Sequence, residues 1–285
     1  FLNHNFFFSK IKMTSSSSSP CCPSNSHPSL SDDYTPIGTK SSYGNVEFYQ
    51  VGSLSSGGNA IVIFSDIWGW NSGRVRRFAD ILAEFVDYVI IPKLLDPTID
   101  GGTDDDGLPP GYDLSAHPEV WGWLSQFNYG YLKPKIDDVF AHLNNAGVER
   151  IGLVGVCYGG YLVCHSAIEH SNVVCGVIPH PSIHTEEALF GGNNAELAKK
   201  VHIPLLLLPA GNDPATYLPG GDIIDNLVAN NSASRSILFP DMVHGFTTRG
   251  DLNDEKIARD VNEFVRLMAE YFKEHLLGHC GRRAV

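Results

Sequence analysis

Cys157 has the clearest chemical setting in this sequence. It lies in Gly155-Val156-Cys157-Tyr158-Gly159-Gly160, after the apolar residues 151–154 and before 161–169, which suit a helix. A nucleophile with glycines two residues away on either side, between a strand and a helix, reads as a sharp elbow that presents one side chain for covalent attack. The turn needs strained backbone at the nucleophile, and the glycines let strand and helix pass without Cβ clashes. Taken alone, the segment also fits a glycine-rich turn around a buried apolar cysteine. Two later loops supply partners. Residues 205–210 read as a buried strand followed by Gly211-Asn212-Asp213-Pro214, and 235–239 as the next strand, followed by Asp241-Met242-Val243-His244-Gly245-Phe246. An open parallel sheet gathers such loops along one edge. Separately, Asp213 is a turn former before proline and His244 a loop histidine. Together they predict a Cys157, His244 and Asp213 triad for acyl transfer.

A fourth piece lies early. Residues 60–64 form a β-branched and aromatic run, followed by Ser65-Asp66-Ile67-Trp68-Gly69. In the α/β-hydrolase order of nucleophile, acid and histidine, this loop gives one oxyanion donor, and the N–H after the nucleophile gives the other. Those donors are the backbone amides of Ile67 and Tyr158. The combination resembles the dienelactone hydrolase (carboxymethylenebutenolidase) family, which has G-x-C-x-G-G at the elbow. The family also has an acidic residue, Ile, an aromatic and Gly after the early strand, and H-G/S-F at the histidine. The resemblance spans roughly residues 34–272 and reaches weakly to Cys21-Cys22-Pro23, a pair with no role legible in the sequence.

The resemblance implies roles residue by residue. Cys157 attacks the acyl carbon, His244 is the base, Asp213 orients it, and Ile67 and Tyr158 donate to the oxyanion. Asp66 stands where the bacterial members carry a glutamate that contacts the nucleophile thiol, so it is expected to point at Cys157 and keep the resting thiol protonated. A loop carboxylate capping a helix is the other reading of Asp66. Arg249, one residue later than the family pattern, would bind a substrate carboxylate or be a solvated surface arginine. Trp68 belongs to the same substrate-binding set. The implied activity is hydrolysis of a small lactone or ester, and by extension a thioester, with no metal and no organic cofactor.

The chemistry of cysteine narrows this further. A thiolate at a helix N-terminus has its pKa lowered by the peptide dipoles and needs less base assistance than a hydroxyl. It also leaves more readily than an amine, so carbonyls with good leaving groups suit it better than amides. Acyl transfer would run through a thioester. Two other readings stay open: a ligand-binding protein on a hydrolase fold without turnover, and a redox-active cysteine protein. The second lacks a resolving cysteine unless Cys164 or Cys175 comes close.

The elements that must position these residues alternate. Strands are expected at 46–51, 88–91 and 173–178, and helices at 73–85, 132–146 and 257–276, each helix with an apolar face at 3.6-residue spacing. Alternation of this kind means an α/β-hydrolase fold, a mostly parallel sheet with helices on both faces. The longest irregular stretch, 96–123, carries Asp100, Asp104, Asp105 and Asp106, then Tyr112, Trp121 and Trp123. The aspartates read as a solvated loop, since their spacing departs from a calcium loop. The aromatics, with Phe127 and Tyr129, either wall a pocket or tie the insertion down. His180 and His184 suit the pocket rim or a simple turn.

Composition sets the outer bounds. With 285 residues, 43% of them apolar, the chain suits one domain, here 34–280, behind a Ser/Pro-rich segment 1–33 expected to be disordered and to contribute nothing to the core. Net charge is −12 with no basic cluster, so no nucleic-acid partner is expected. No apolar run approaches the ~18 residues of a membrane span. Six cysteines do not make a disulfide framework at this length, and no His/Cys/Asp spacing resembles a zinc site. Met13 suits a start residue. The expected compartment is the cytoplasm, with an organelle as the alternative for an acid-poor, serine-rich lead, and the expected state a monomer or weak homodimer.

Overall fold

The computed structural model describes residues 19–23, 25–27 and 34–278. The start residue, the serine run before residue 19 and the organelle reading lie outside them. Eight strands form one sheet: β1 (Thr39–Tyr43), β2 (Val46–Gly52), β3 (Asn59–Phe64), β4 (Tyr88–Pro92), β5 (Arg150–Gly155), β6 (Val173–Pro179), β7 (Leu205–Leu208) and β8 (Arg235–Ser236). Their order is β1-β2-β4-β3-β5-β6-β7-β8, antiparallel at β1–β2 and β2–β4 and parallel from β4 to β8. The central strands β3, β4, β5 and β7 are buried almost throughout, which is why they read as continuous apolar runs rather than alternating ones. The expected mostly parallel sheet is therefore present.

Helices α1 (Val75–Leu82), α2 (Val120–Leu124), α3 (Tyr129–Asn145), α4 (Gly159–Glu169), α5 (Thr185–Ala188), α6 (Asn194–Lys200), α7 (Asp222–Asn230), α8 (Phe246–Arg249) and α9 (Glu255–His275) connect and cover the strands. Capping side chains set two boundaries. Asn128 accepts from Tyr131 N at 3.0 Å, so α3 starts three residues before its apolar periodicity suggests. Asp254 accepts from Lys256 N at 2.8 Å and opens α9. Strand β8 is shorter than expected: after Ser236 the pairing continues through Ile237 N to Leu207 O, Phe239 N to Pro209 O and an isolated bridge from Ala210 to Phe239.

The insertion is fixed by a buried acid. Asp106 is fully buried and accepts from Leu95 N at 2.6 Å and Trp70 N at 2.8 Å. Leu108 N donates to Ile67 O at 3.1 Å, which ties the insertion to the loop after β3. Asp104 pairs with Lys40 and Arg76. The expectation of a solvated acidic loop is thus corrected at Asp106: two backbone N–H groups need an acceptor away from water, and the side chain supplies both oxygens.

Burial pushes the Asp106 carboxyl up to about 7, against the two backbone N–H donors that lower it. The folded chain therefore holds a proton there that the unfolded chain releases, and stability falls as pH rises from the ordinary carboxyl range toward 7. Asp106→Asn removes this titration and leaves one N–H facing an amide nitrogen. We expect it to cost about 1–3 kcal/mol and to flatten the fall of melting temperature with pH over that interval. Calorimetry across the pH series checks both.

Candidate active site

Cys157 sits between β5 and α4 with φ of +54°, a left-handed conformation that a non-glycine residue rarely adopts. The sharp turn exists because the chain on either side is glycine. A Cβ on Gly159 would lie 2.2 Å from Phe64 O on neighbouring β3, and one on Gly155 would lie 2.5 Å from Gly159 O. Cys157 N donates to Pro179 O, and Ser182 N donates to Cys157 O, so β6 and the loop after it hold the turn from the other side. Helix α4 begins two residues after the sulfur and presents its N-terminal dipole to it.

The two later loops meet here. His244 Nδ1 lies 2.6 Å from Asp213 Oδ1, and both side chains are fully buried. Asp213 Oδ2 accepts from Ala210 N, His244 N donates to Asn212 Oδ1, and Gly211 N donates to Met242 O, which locks the loops after β7 and β8 together. The other imidazole nitrogen, Nε2, makes no well-formed hydrogen bond, yet it stands close enough to Cys157 for the two to shift each other's titration. Loose contacts of this kind are common in resting catalytic pairs. Burial alone pushes the Cys157 thiol up, but hydrogen bonds with Cys21 and Cys22 and the charge of His244 outweigh it and hold the thiol well below its usual range. Burial likewise opposes the charged imidazole of His244, and the Asp213 carboxylate and the thiolate overcome it. Both shifts run toward the charged forms, the opposite direction to the protonated thiol expected from Asp66.

Asp66 accounts for that difference. Its carboxylate is buried but turned to Arg249 Nη1, and it also accepts from Thr248 Oγ1 at 3.2 Å and from Trp68 N at 3.0 Å. Among the described residues no hydrogen bond joins it to Cys157, so the expected contact with the thiol is not formed. The residue at this position is one methylene shorter than glutamate, and a buried guanidinium on α8 takes its charge. Arg249 is only 2% exposed, which removes the reading of a solvated surface arginine. Its Nε donates to His27 O, and its Nη2 is buried without a partner. Among the described residues, the N–H groups of Ile67 and Tyr158 donate to no backbone carbonyl.

Sequence reading missed what lies over Cys157. Cys21 and Cys22 are buried, with their sulfurs 3.7 and 3.5 Å from Cys157 Sγ. Ser182 Oγ donates to Cys21 O at 2.7 Å and lies 3.4 Å from Cys157 Sγ. His27 N donates to His244 O, and Asn212 Nδ2 donates to Asn25 Oδ1. The expectation that the leading segment contributes nothing to the core is therefore corrected at Cys21 and Cys22. Its low-complexity composition carries no periodic signal, and the paired cysteines were the one available clue. Cys164 and Cys175 stay buried elsewhere, each thiol pushed up to about 12 by burial. His180, at φ +33°, is fully buried beside the site rather than on a rim, with Nε2 2.6 Å from Thr247 Oγ1. Burial lowers its pKa to about 4, so it is neutral. His184 bonds Tyr217 OH at 2.6 Å.

A cavity of about 420 Å³ lies on the far side of this cover, lined by Trp68, Tyr112 and Trp121 together with Cys22 and His27. Trp123 does not line it: its indole N–H donates to Pro97 O, and its ring packs edge-on against Phe127, so it ties the insertion down. Among the described residues no helix is long and apolar enough to cross a membrane.

A parallel sheet with a strained nucleophile elbow and acid and histidine loops along the same edge defines an α/β-hydrolase. The dienelactone hydrolase family profile matches residues 47–276. The chain is 25% identical to a carboxymethylenebutenolidase homolog of Rattus norvegicus over 76% of this chain and 82% of that one. It is 27% identical to the hydrolase pyvD of Aspergillus violaceofuscus over 68% and 72%. A dienelactone hydrolase structure from Anabaena variabilis superposes with a TM-score of 0.52 at 15% identity, over 85% of this chain and 98% of that one. The chain belongs to the dienelactone hydrolase family.

The cover is anchored in part by the exposed Asn25–Asn212 bond. Asn25→Ala should release it by about 0.5–1.5 kcal/mol, speeding alkylation of Cys157 in the resting protein roughly twofold to tenfold. Timed iodoacetamide labelling with peptide mass mapping reads this. An unchanged rate would mean that residues 19–27 do not govern access.

Proposed function

We propose that this hydrolase cleaves small carboxylic esters or lactones through Cys157, with a thioester acyl-enzyme. The observation that carries the reading is the strained Cys157 elbow, with the buried His244–Asp213 pair beside its sulfur. The thiolate attacks the acyl carbon, and the oxyanion accepts from the N–H groups of Ile67 and Tyr158. Collapse breaks the C–O bond, and the His244 imidazolium gives its proton to the departing alkoxide or enolate. Neutral His244 then takes a proton from water, the hydroxide attacks the thioester, and the carboxylic acid leaves as the thiolate re-forms. With a lactone, the alcohol stays tethered and the product is one hydroxy acid. Asp213 holds the imidazole and stabilises its charge.

Two features bear on the substrate. The cavity walls are aromatic at Trp68, Tyr112 and Trp121, which favours a planar or cyclic acyl group. Cys22 lines that cavity and Cys157 does not, and the Cys22 sulfur lies 3.5 Å from that of Cys157, so a substrate in the cavity must shift Cys22 to be attacked. Withdrawal of His27 also frees Arg249 Nε, which with the unpartnered Nη2 gives a substrate carboxylate a forked donor.

A second reading, a redox-active cysteine protein, gains support from one observation. Cys22 Sγ is 3.5 Å from Cys157 Sγ, which supplies the resolving thiol that Cys164 and Cys175 do not. Hydrogen peroxide would oxidise the Cys157 thiolate to a sulfenate, and Cys22 would displace water from the sulfenic acid to form the disulfide.

On a panel of lactones, aryl esters and thioesters, Cys157→Ala should lower kcat/KM on the order of 10³-fold or more, and His244→Ala by a comparable factor. Cys157→Ser should also be poor, because a site built around a thiolate does not activate a hydroxyl. Turnover that survives Cys157→Ala would reject the nucleophile, and near-normal rates in Cys157→Ser would reject the thiolate.

The pH profile should form a broad plateau. Activity falls at low pH as the thiolate is protonated, below the ordinary thiol range because that pKa is depressed. It falls at high pH as the imidazolium loses its proton, above the ordinary imidazole range because that pKa is raised. An acid limb at ordinary thiol pH would contradict the resting ion pair.

A further inference from the structure

The three sulfurs over the elbow do more than fill space. The Cys21, Cys22 and Cys157 sulfurs lie within 4.8 Å of one another, with contacts of 3.7, 3.7 and 3.5 Å. A tetrahedral zinc site with Zn–S bonds of about 2.3 Å has sulfurs roughly 3.8 Å apart. Neighbouring cysteines on an extended chain point to opposite sides. Here the backbone bends through residues 20–22, and both thiols face the same point. The His244 Nε2 atom is fully buried and lacks a well-formed partner, and it lies just outside the group of three sulfurs that are all within 4.8 Å of one another. Its Nδ1 is held by the Asp213 carboxylate at 2.6 Å, the outer-sphere arrangement that orients metal-binding histidines.

We propose that Cys21, Cys22 and Cys157 form the thiolate face of a binding site for a zinc-type d¹⁰ cation, with His244 Nε2 as the fourth donor. The imidazole closes the tetrahedron by moving toward the third sulfur. Binding forms three metal–sulfur bonds and one metal–nitrogen bond, and releases to solvent every proton that the thiols and imidazole held. Two positive charges then meet three thiolates, and the Arg249 guanidinium, in electrostatic reach of Cys22 and Cys157, offsets the excess negative charge. Because the site uses the proposed nucleophile and base, and in this rests on the hydrolase reading, a loaded chain is catalytically latent. The leading segment then closes over the elbow through metal bonds, and loss of the cation frees it.

The test uses the full chain, reduced with a phosphine, stripped with a chelator and titrated anaerobically with Co²⁺, then Zn²⁺. The expected result is one Co²⁺ per chain, with thiolate-to-metal charge-transfer absorption and the visible bands of a tetrahedral site, bleached by Zn²⁺. Cys21→Ser and Cys22→Ser should each weaken binding by more than ~100-fold, beyond the loss of an outer-shell partner. Cys175→Ser, outside the cluster, should bind as the parent does. Circular dichroism of the metal-free variants separates lost ligation from lost fold. Absence of charge-transfer absorption at stoichiometric Co²⁺ would overturn the site. So would unchanged affinity in both Cys21→Ser and Cys22→Ser, or a Cys22–Cys157 disulfide under peroxide as the sole response of the cluster. The readout is independent of turnover. Failure to bind, with Cys157 still required for hydrolysis, removes the metal site alone. Binding, with hydrolysis that survives Cys157→Ala, removes the nucleophile alone.

Discussion

The backbone strain at Cys157 is the constraint around which the rest of the molecule is arranged. A φ of +54° costs about 1–3 kcal/mol for a residue with a Cβ. It persists because β5, α4 and the loop after β6 hold it from three sides. Glycines at 155 and 159 are the only way to bring α4 within contact of β3, since a Cβ on Gly159 would collide with Phe64 O. The strain lifts the sulfur out of the strand and to the head of a helix.

Electrostatics then follows from burial. Cys157, His244 and Asp213 lie in sequence with their side chains buried, so any charge one of them carries depends on its neighbour for stabilisation. Asp66 and Arg249 form a second buried pair alongside. Breaking either pair would leave an uncompensated buried charge, a far larger loss than the pair's own gain. While Arg249 is buried, the Asp66 carboxylate is its necessary partner, and its hydrogen bonds go to Arg249, Thr248 and Trp68 rather than to the thiol. Residues 25–27 enter the same network, through His27 O on Arg249 and His27 N on His244 O. The cover over the nucleophile is thus joined to the charge arrangement beneath it.

The insertion plays a parallel role on the other side of the site. Asp106 satisfies backbone donors of Leu95 and Trp70, and through the Leu108 N–H on Ile67 O the insertion holds the loop after β3. Trp123 and Phe127 pack it down, while Tyr112 and Trp121 are left to face the cavity. One stretch of chain therefore sets both the position of the Ile67 loop and the aromatic character of the cavity wall.

Much of this was legible in the residues themselves. Glycine spacing at the elbow has a local steric cause, and apolar runs bounded by turn residues mark buried parallel strands whatever surrounds them. The order of Cys157, Asp213 and His244, each after a strand, was enough to bring them to one sheet edge, because parallel connections leave all such loops on the same side. What remained hidden depends on contacts between segments with no periodic relation. Cys21 and Cys22 lie more than a hundred residues from Cys157 in a segment with no apolar repeat, and only the folded surface shows where they dock. The partner of Asp66, the depth of His180 and the burial of Asp106 are likewise outcomes of three-dimensional packing. A carboxylate or imidazole reads the same in sequence whether water or a guanidinium satisfies it, and tertiary structure alone decides which is near.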